Sequence, residues 1–305
     1  MKNRVLFLLE VELINEVCIN ELCILAKPFD EAIFVIKDAD MLHASGNETG
    51  HFIYLLHKFV VEFLSIPFFV IPYPSSDDKS IQYWIGLKLI TPAFASFYSN
   101  NVADEFGVVS ILKSTFHLLP PGKKLIYSIL KTSNKSIKRG LYVTRAQPFH
   151  IGHASYVKQM ANECDELIVL IGAAEQSHVV HNPLSASERM EMVNDYLFSE
   201  FPGKYYILAL PQNYYTLGNM LELEYLLPSY QTVYATNPVI TSMCNVLNIP
   251  VKILTQKNPI SATEIRNKIM NDQSYEAMVP EIIYKHLEKL NFKERLLLIN
   301  REDIR

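Results

Sequence analysis

The stretch "RGLYVTRAQPFHIGH", Arg139–His153, passes from an apolar run through a short turn into a helical pattern. Its first part, from Gly140 to Val143, has the length and composition of a buried β-strand. A strand that leads directly into a helix begins a βαβ unit, and such units build parallel sheets with helices on both faces. The stretch therefore predicts an α/β domain.

The pattern around this stretch occurs twice in the chain. With Arg4 aligned on Arg139, "RVLFLL" falls on "RGLYVT" and "KPFDEAIFVIKDADMLH" falls on "NECDELIVLIGAAEQSH". Self-similarity over a whole βαβ unit indicates a duplicated domain, although two doubly wound domains can also share this rhythm by chance. We predict two Rossmann-like, doubly wound parallel-sheet domains in tandem, at residues 1–131 and 139–305, joined by a polar linker at residues 132–138.

Composition excludes several classes of protein. The 305 residues are 49% hydrophobic and 20% charged, which is typical of a globular chain. A formal net charge of −4 argues against nucleic acid or an anionic membrane as a partner. The four cysteines lack C-x-x-C spacing, so we expect a reducing, cytoplasmic environment. We expect neither a membrane span nor a signal peptide, because charges and prolines interrupt every long apolar run.

The turn after the strand has the composition of a phosphate-binding site. In an open α/β sheet this turn lies at the carboxyl edge, where ligands bind. The helix that starts near Gly152 directs unpaired N–H groups and the positive end of its dipole toward a ligand. His150 and His153 can donate imidazole hydrogen bonds to phosphate oxygens, and Arg145 adds a fixed cation. The alternatives are two packed histidines or half of a metal site, but no cysteine cluster or H-E-x-x-H accompanies them, so we expect no protein metal ligands.

A second helix start, "NPISATEIRNKI" at residues 258–269, also indicates an anion. Ser261 with Glu264 predicts a capping box. Arg266 lies in the first turns of this helix, where a cation opposes the helix dipole, so a nearby anion would explain it.

A third segment, "GAAEQSHVVHNPLSASERMEMV" at residues 172–193, predicts another capping box. Ser185 and Glu188 have the required spacing. Helix capping leaves three polar residues of this segment unexplained: His178, Asn182 and Arg189.

These segments, together with "VYATNP" at residues 233–238, resemble the archaeal-type nicotinamide mononucleotide adenylyltransferases of the H-x-G-H nucleotidyltransferase superfamily. The similarity runs from Arg139 to about Ile299. It implies that ATP and nicotinamide mononucleotide are the substrates and are joined to NAD with release of pyrophosphate. The mononucleotide phosphate would attack the α-phosphorus in line, with Mg²⁺ bound to ATP.

The resemblance also implies roles for individual residues. The residues expected at the ATP phosphates and the adenosine are His150, His153, Arg266, Arg145, Gly152, Ser261, Thr263 and Asn237. The residues expected on the nucleotide side are His178, Asn182 and Arg189. Thr144 and Ala146 replace the usual glycine and phenylalanine of the turn, and the segment at residues 210–228 lacks the tryptophan that this family places near the nicotinamide ring.

The first half of the chain lacks the proposed phosphate ligands. Asn15, Val17 and Cys18 align with the H-x-G-H residues, and Glu10 aligns with Arg145, so we predict a degenerate copy that does not bind triphosphate. The same half retains Trp84, Asn100 and Asn101, which could form a site for a nicotinamide-type nucleotide. The alternative is a decayed duplicate with an incidental tryptophan.

Two other functions stay open at this point. The first is nucleotidyl transfer to a different phosphorylated acceptor, and the second is a non-catalytic nucleotide sensor or scaffold. A homo-oligomer is also possible, and no residue of the sequence decides it.

Overall fold

The computed structural model describes residues 2–14, 16–38, 49–73, 81–119, 137–210, 223–224, 226–255 and 259–302. Its strands form two five-stranded parallel sheets with flanking helices, which confirms the predicted α/β fold class. The described residues cluster in two compact units. Unit 1 comprises Met1–Ile137 and Leu221–Tyr230, and unit 2 comprises Lys138–Met220 and Gln231–Arg305. The domain limits drawn from the sequence stay a prediction, and most of the proposed linker lies outside the described residues.

Unit 1 is built on a sheet with the strand order β3-β2-β1-β4-β5. Its strands are β1 (Arg4–Leu9), β2 (Glu31–Ile36), β3 (Phe68–Pro72), β4 (Ser96–Ser99) and β5 (Thr115–Leu118). Its helices are α1 (Glu16–Ala26), α2 (Thr49–Phe63) and α3 (Ile81–Ile90), with short helical turns at Val11–Leu13, Val102–Asp104, Glu105–Gly107 and Val108–Leu112. The first two strands are buried along their whole length, as expected for parallel strands covered on both faces.

Unit 2 has the strand order β10-β9-β6-β7-β8. Its strands are β6 (Arg139–Thr144), β7 (Glu166–Ile171), β8 (Tyr205–Ala209), β9 (Thr232–Ala235) and β10 (Val251–Ile253). Its helices are α4 (Ile151–Ala161), α5 (Ala186–Glu200), α6 (Pro238–Val246), α7 (Ala262–Met270), α8 (Glu281–Lys289) and α9 (Phe292–Glu302), with a helical turn at Glu276–Met278. When strands are numbered within each unit, both sheets have the order 3-2-1-4-5. The shared order is what a duplication would produce, and the duplication itself stays a prediction.

Both sheets carry a buried ion pair where the first two strands begin. The Nε of Arg4 donates to Glu31 in unit 1, and the Nε of Arg139 donates to Glu166 in unit 2 at 2.6 Å. A carboxylate next to each glutamate also accepts a main-chain N–H: Asn3 donates to Asp30 at 2.7 Å, and Lys138 donates to Asp165 at 2.9 Å. The matching arginine and Asp-Glu positions of the sequence repeat therefore have the same structural role in each unit. They neutralise buried guanidinium groups at the amino edge of the sheet.

The longest helices, α2 and α5, have 15 residues each. A bilayer core requires roughly 20 apolar residues in a helix. Within the part of the chain that the structure describes, no helix combines the length and apolarity that would let it cross a membrane.

The structure places Trp84 in the core of unit 1. Its side chain is 2% exposed and packs edge-on against Tyr83 and Phe97, with ring centroids 5.2 and 6.1 Å away. A Cβ added to Gly107 would lie 2.0 Å from the indole ring, so the backbone of the neighbouring helical turn closes over it. Trp84 therefore packs in the core of unit 1, and a ligand contact by its side chain stays a prediction.

The two asparagines after β4 make local hydrogen bonds. The Nδ2 of Asn100 donates to the carboxylate of Glu10 at 2.9 Å. The Oδ1 of Asn101 accepts the N–H of Ala103 at 3.0 Å, and its own N–H donates to Ser99. These bonds order the loop that follows the strand, and a ligand contact by either asparagine stays a prediction.

Replacing Gly107 by alanine should destabilise unit 1. The rigid indole cannot move away from the new methyl group without disturbing the core, and such overpacking costs about 1–3 kcal/mol. Urea unfolding followed by the emission of Trp84, the one tryptophan in the sequence, measures the loss. Ser110→Ala on the exposed face of the same helical segment is the control and should leave the midpoint unchanged. An unaltered midpoint in Gly107→Ala would contradict the packing described above.

Candidate active site

The predicted phosphate-binding turn lies where the order of strands in unit 2 reverses. From β6 the chain proceeds outward through β7 to β8, and it then returns to build β9 and β10 on the other side. The turn at residues 145–150 follows β6, and Asn237 follows the neighbouring β9. Ligands of open α/β sheets bind at this kind of crevice, outside the carboxyl ends of the strands. The fold therefore brings the turn to the expected position.

Two histidines cap helix α4 reciprocally. The Nδ1 of His150 accepts the N–H of Gly152 at 3.1 Å, and the Nδ1 of His153 accepts the N–H of His150 at 3.1 Å. In a neutral imidazole that accepts at Nδ1, the proton is on Nε2. The helix start thus assigns the same tautomer to both rings, and each keeps an Nε2–H group as a donor.

The protonation state of both rings follows from their surroundings. Burial lowers the pKa of His150 to about 4. Burial, and to a smaller extent the neighbouring His150, holds the pKa of His153 well below its usual value. The ring centroids are 3.7 Å apart, so a proton on one ring would repel a proton on the other. At neutral pH the pair therefore consists of two uncharged hydrogen-bond donors.

Arg266 reaches the same turn from helix α7. Its side chain is 7% exposed, and its Nη1 donates to the carbonyl oxygen of Gln147 at 2.8 Å. Its Nη2 donates to the hydroxyl of Thr263 at 3.2 Å. Burial lowers the pKa of Arg266 from a very high ordinary value, and the guanidinium stays charged at neutral pH. The structure thus brings a cation to the turn that carries the imidazoles.

The helices that follow the strands of unit 2 begin with side-chain caps. Each of these N-termini lies on the carboxyl side of the sheet, because each follows a strand. The hydroxyl of Ser185 accepts the N–H of Glu188 at 3.2 Å, and the Glu188 carboxylate accepts the N–H of Ser185, which completes the predicted capping box. Asn237 caps α6 through the N–H of Val239 at 2.9 Å.

Helix α7 forms only half of its predicted capping box. The hydroxyl of Ser261 accepts the N–H of Glu264 at 3.1 Å, but between these two described residues the reciprocal bond is not made. Ser261, Thr263 and the nearby Arg145 are exposed, so their side chains can reach a ligand.

Gln147 is a site residue that sequence reasoning missed. It is 3% exposed, and its side-chain amide makes two hydrogen bonds of 2.9 Å to the main-chain N–H and C=O of Leu184. Its own carbonyl accepts from Arg266. One residue therefore connects the turn to the segments before α5 and within α7. The one signal in the sequence is an amide between Ala146 and Pro148.

The three residues expected on the nucleotide side lie in different environments. His178 is exposed and has a left-handed backbone, with φ of 57°. Asn182 is 1% exposed and donates through Nδ2 to Gln176, while its Oδ1 has no hydrogen-bond partner among the described residues. Arg189 is fully buried, and its guanidinium binds main-chain carbonyls. Arg189 therefore supports the backbone, and its predicted position on the nucleotide side stays a prediction.

Comparisons with known proteins identify the family of the chain. A family profile described as Cytidylyltransferase-like matches residues 141–268. The chain is 32% identical over 165 residues to nicotinamide-nucleotide adenylyltransferase of Thermococcus sibiricus, and the match covers 53% of this chain and 89% of the relative. It is 31% identical over 167 residues to the protein of that name from Methanococcus maripaludis, with 54% of this chain and 97% of the relative covered. The chain belongs to the nicotinamide-nucleotide adenylyltransferase family. Membership of this adenylyltransferase family makes it a nucleotidyltransferase, which confirms the enzyme class predicted from the sequence.

Solved structures are more distant. A bifunctional NMN adenylyltransferase/ADP ribose pyrophosphatase from Francisella tularensis matches with a TM-score of 0.46 and 16% identity, over 54% of this chain and 54% of that chain. A structure of the same bifunctional protein complexed with AMP and Mn ion matches with a TM-score of 0.44 and 16% identity, over 54% of this chain and 53% of that one. The matched part is thus about half the length of either solved chain.

The histidine cap should make the stability of unit 2 depend on pH. The unfolded chain takes up a proton on His150 near the ordinary value of 6.5, whereas the folded protein does so only near 4. The contribution of neutral His150 to the free energy of unfolding is therefore fully present above about pH 6.5. It is lost as the pH falls toward 4, by about 3 kcal/mol in total. Thermal unfolding between pH 4 and pH 8 measures this slope.

The matched variant for that experiment is His150→Asn. Asparagine is a good helix cap but does not titrate. The variant should keep the helix and show a shallower dependence on pH. Equal slopes in the two proteins would show that the cap is not the titrating group.

Proposed function

We propose that the protein transfers the adenylyl group of ATP to nicotinamide mononucleotide, giving NAD and pyrophosphate. An oxygen of the mononucleotide's 5′-phosphate forms a bond to the α-phosphorus, and the bond from that phosphorus to the bridging oxygen of the β-phosphate breaks. Pyrophosphate leaves with the electron pair of the broken bond. The observation that supports this proposal is the convergence of two imidazole donors and Arg266 on one turn at the switch point of the sheet.

The residues present suit a reaction that depends on alignment and charge stabilisation. The attacking phosphate is already ionised at neutral pH, so neither a protein nucleophile nor a general base is needed. The Nε2–H groups of His150 and His153 would donate to ATP phosphates beside the N-terminus of α4. Arg266 would neutralise charge that develops on the leaving pyrophosphate. Because Gln147 and Thr263 hold the guanidinium in place beforehand, little reorganisation is required during the reaction.

Magnesium fits this site as a component of the substrate. In the described ranges, no group of three or more His, Cys, Asp or Glu side chains is arranged to hold a metal ion. Mg²⁺ prefers oxygen ligands and is commonly bound through substrate phosphates and water. We therefore propose that Mg²⁺ enters with ATP and that the protein residues contact the phosphates instead of the ion.

A panel of substrate pairs tests the reaction. Pyrophosphate release is measured with Mg·ATP or Mg·CTP, each combined with nicotinamide mononucleotide, nicotinic acid mononucleotide or other phosphorylated acceptors. CTP is included because the matching profile is described as Cytidylyltransferase-like. We expect the highest kcat/KM with ATP and nicotinamide mononucleotide. Preference for another pair would identify a different nucleotidyl transfer, and no release from any pair would favour the sensor or scaffold function.

Replacing His153 by alanine should lower kcat by about 10²- to 10³-fold, which is the usual effect of removing one preorganised donor to a developing anion. His286→Ala is the matched control, because it removes a partly buried imidazole of unit 2 that binds Asp195 at 2.8 Å. Steady-state pyrophosphate release gives kcat for both variants, and circular dichroism confirms that both are folded. Near-normal turnover in His153→Ala would disprove the phosphate assignment.

A further inference from the structure

Arg189 connects three backbone segments at the carboxyl edge of unit 2. It lies on α5 and has no exposed surface. Its Nη1 donates to the carbonyl of Arg145 at 3.0 Å and to that of Gly172 at 2.7 Å. Its Nη2 donates to Ala173 at 2.8 Å, and its Nε donates to Ser185 at 3.1 Å. One guanidinium therefore joins the turn after β6, the loop after β7 and the start of α5.

Two of these segments have a backbone conformation that L-residues disfavour. Ala146 has φ of 49° and Ala173 has φ of 51°, and both are almost fully buried. The left-handed region is disfavoured for an L-residue by a factor of about 5 to 30. Arg189 binds the carbonyl immediately before Ala146 and the carbonyl of Ala173 itself. Arg189 thus binds the backbone next to both alanines. Their left-handed conformation is locally unfavourable, so it must be maintained by tertiary interactions such as these.

The turn that Arg189 holds carries the phosphate ligands. His150 lies at its end, and Gln147 within it accepts the hydrogen bond from Arg266. A change in the carbonyl of Arg145 would therefore shift the imidazole cap and the contact to Arg266 together. A displacement of about 1 Å in an active site can reduce the rate by about 10²-fold.

We propose that Arg189 is a positioning residue, which holds the turn at residues 145–150 and the loop at residues 172–173 in place, with Ala146 and Ala173 in their left-handed conformations, without touching substrate. Its catalytic consequence rests on the proposed function, whereas its effect on the backbone does not. Lysine cannot replace it, because a single ammonium nitrogen does not span carbonyls on three segments as the planar guanidinium does.

The first experiment compares Arg189→Lys with Arg139→Lys. Arg139 is an equally buried arginine of the same sheet, but it lies at the opposite, amino edge. Hydrogen–deuterium exchange of the peptide at residues 145–153 is followed in both full-length variants, together with kcat/KM for Mg·ATP. Arg189→Lys should increase exchange of this peptide by about tenfold or more, and it should lower kcat/KM by about 10²-fold. Exchange in Arg139→Lys should match the wild type there, and equal exchange in all three proteins would overturn the proposal.

The second experiment adds Ala146→Gly to Arg189→Lys. Glycine adopts the left-handed conformation without the Cβ penalty, so it should restore part of the exchange protection and part of the activity lost in Arg189→Lys. The positioning role requires this coupling. If Ala146→Gly changes the exchange rate and kcat/KM by the same factors in the wild type and in Arg189→Lys, Arg189 acts only through general packing and the proposal is wrong.

The two experiments separate this inference from the proposed function. A wild-type protein that releases no pyrophosphate would disprove adenylyl transfer, and the exchange measurements would still decide the role of Arg189. If Arg189→Lys does not fold, adding both Ala146→Gly and Ala173→Gly should restore a folded protein, because both strained positions are then relieved. A triple variant that stays unfolded would overturn the positioning role.

Discussion

The site depends on a helix cap made from two imidazoles. Serine, threonine, asparagine or a carboxylate can also satisfy the first N–H groups of a helix, and unit 2 uses serine at α5 and α7 and asparagine at α6. A carboxylate at the third position of α4 would place negative charge where we propose that a phosphate binds. Imidazole accepts through one nitrogen and donates through the other, so the same side chain can cap the helix and hold a phosphate. The H-x-G-H spacing follows from the geometry of the cap, since His150 and His153 are the cap residue and the third helical residue.

Arg266 shows that one sequence signal can have two physical explanations. An arginine in the first turns of a helix opposes the dipole, and a nearby anion is one explanation for it. In the structure its guanidinium is already bound to the carbonyl of Gln147 and the hydroxyl of Thr263. Those neutral acceptors offset part of the unfavourable interaction without a ligand. The dipole argument therefore locates the cation correctly but does not by itself require a phosphate.

Local patterns predict those parts of the molecule whose partners are close in sequence. The strand-turn-helix after β6 and the Ser185 capping box are of this kind, because their hydrogen bonds span only a few residues. Gln147 and Arg189 are different, since their partners Leu184 and Gly172 lie on other segments of the fold. The burial of Trp84 depends on long-range packing in the same way: "IQYWIGLKLI" is apolar around most of its circumference and gives no sign of which face meets the sheet.

The amino edge of the sheet in unit 1 resembles that of unit 2 more than its carboxyl edge does, and stability offers a physical reason for the difference. At the amino edge, loss of Glu31 would remove the carboxylate that both Arg4 and Lys2 bind, and breaking a buried ion pair in this way costs about 3–5 kcal/mol, so folding alone is enough to preserve the pair. At the carboxyl edge, the imidazoles of unit 2 stabilise the ligand-free protein only as a helix cap, which other side chains can replace, and their Nε2–H groups are needed only for a ligand. Glu10 stands there in place of Arg145, paired with Asn100 and near Lys37. On the proposed duplication, a carboxylate at this position would repel a triphosphate, so unit 1 would retain the fold of a nucleotidyltransferase without its phosphate site.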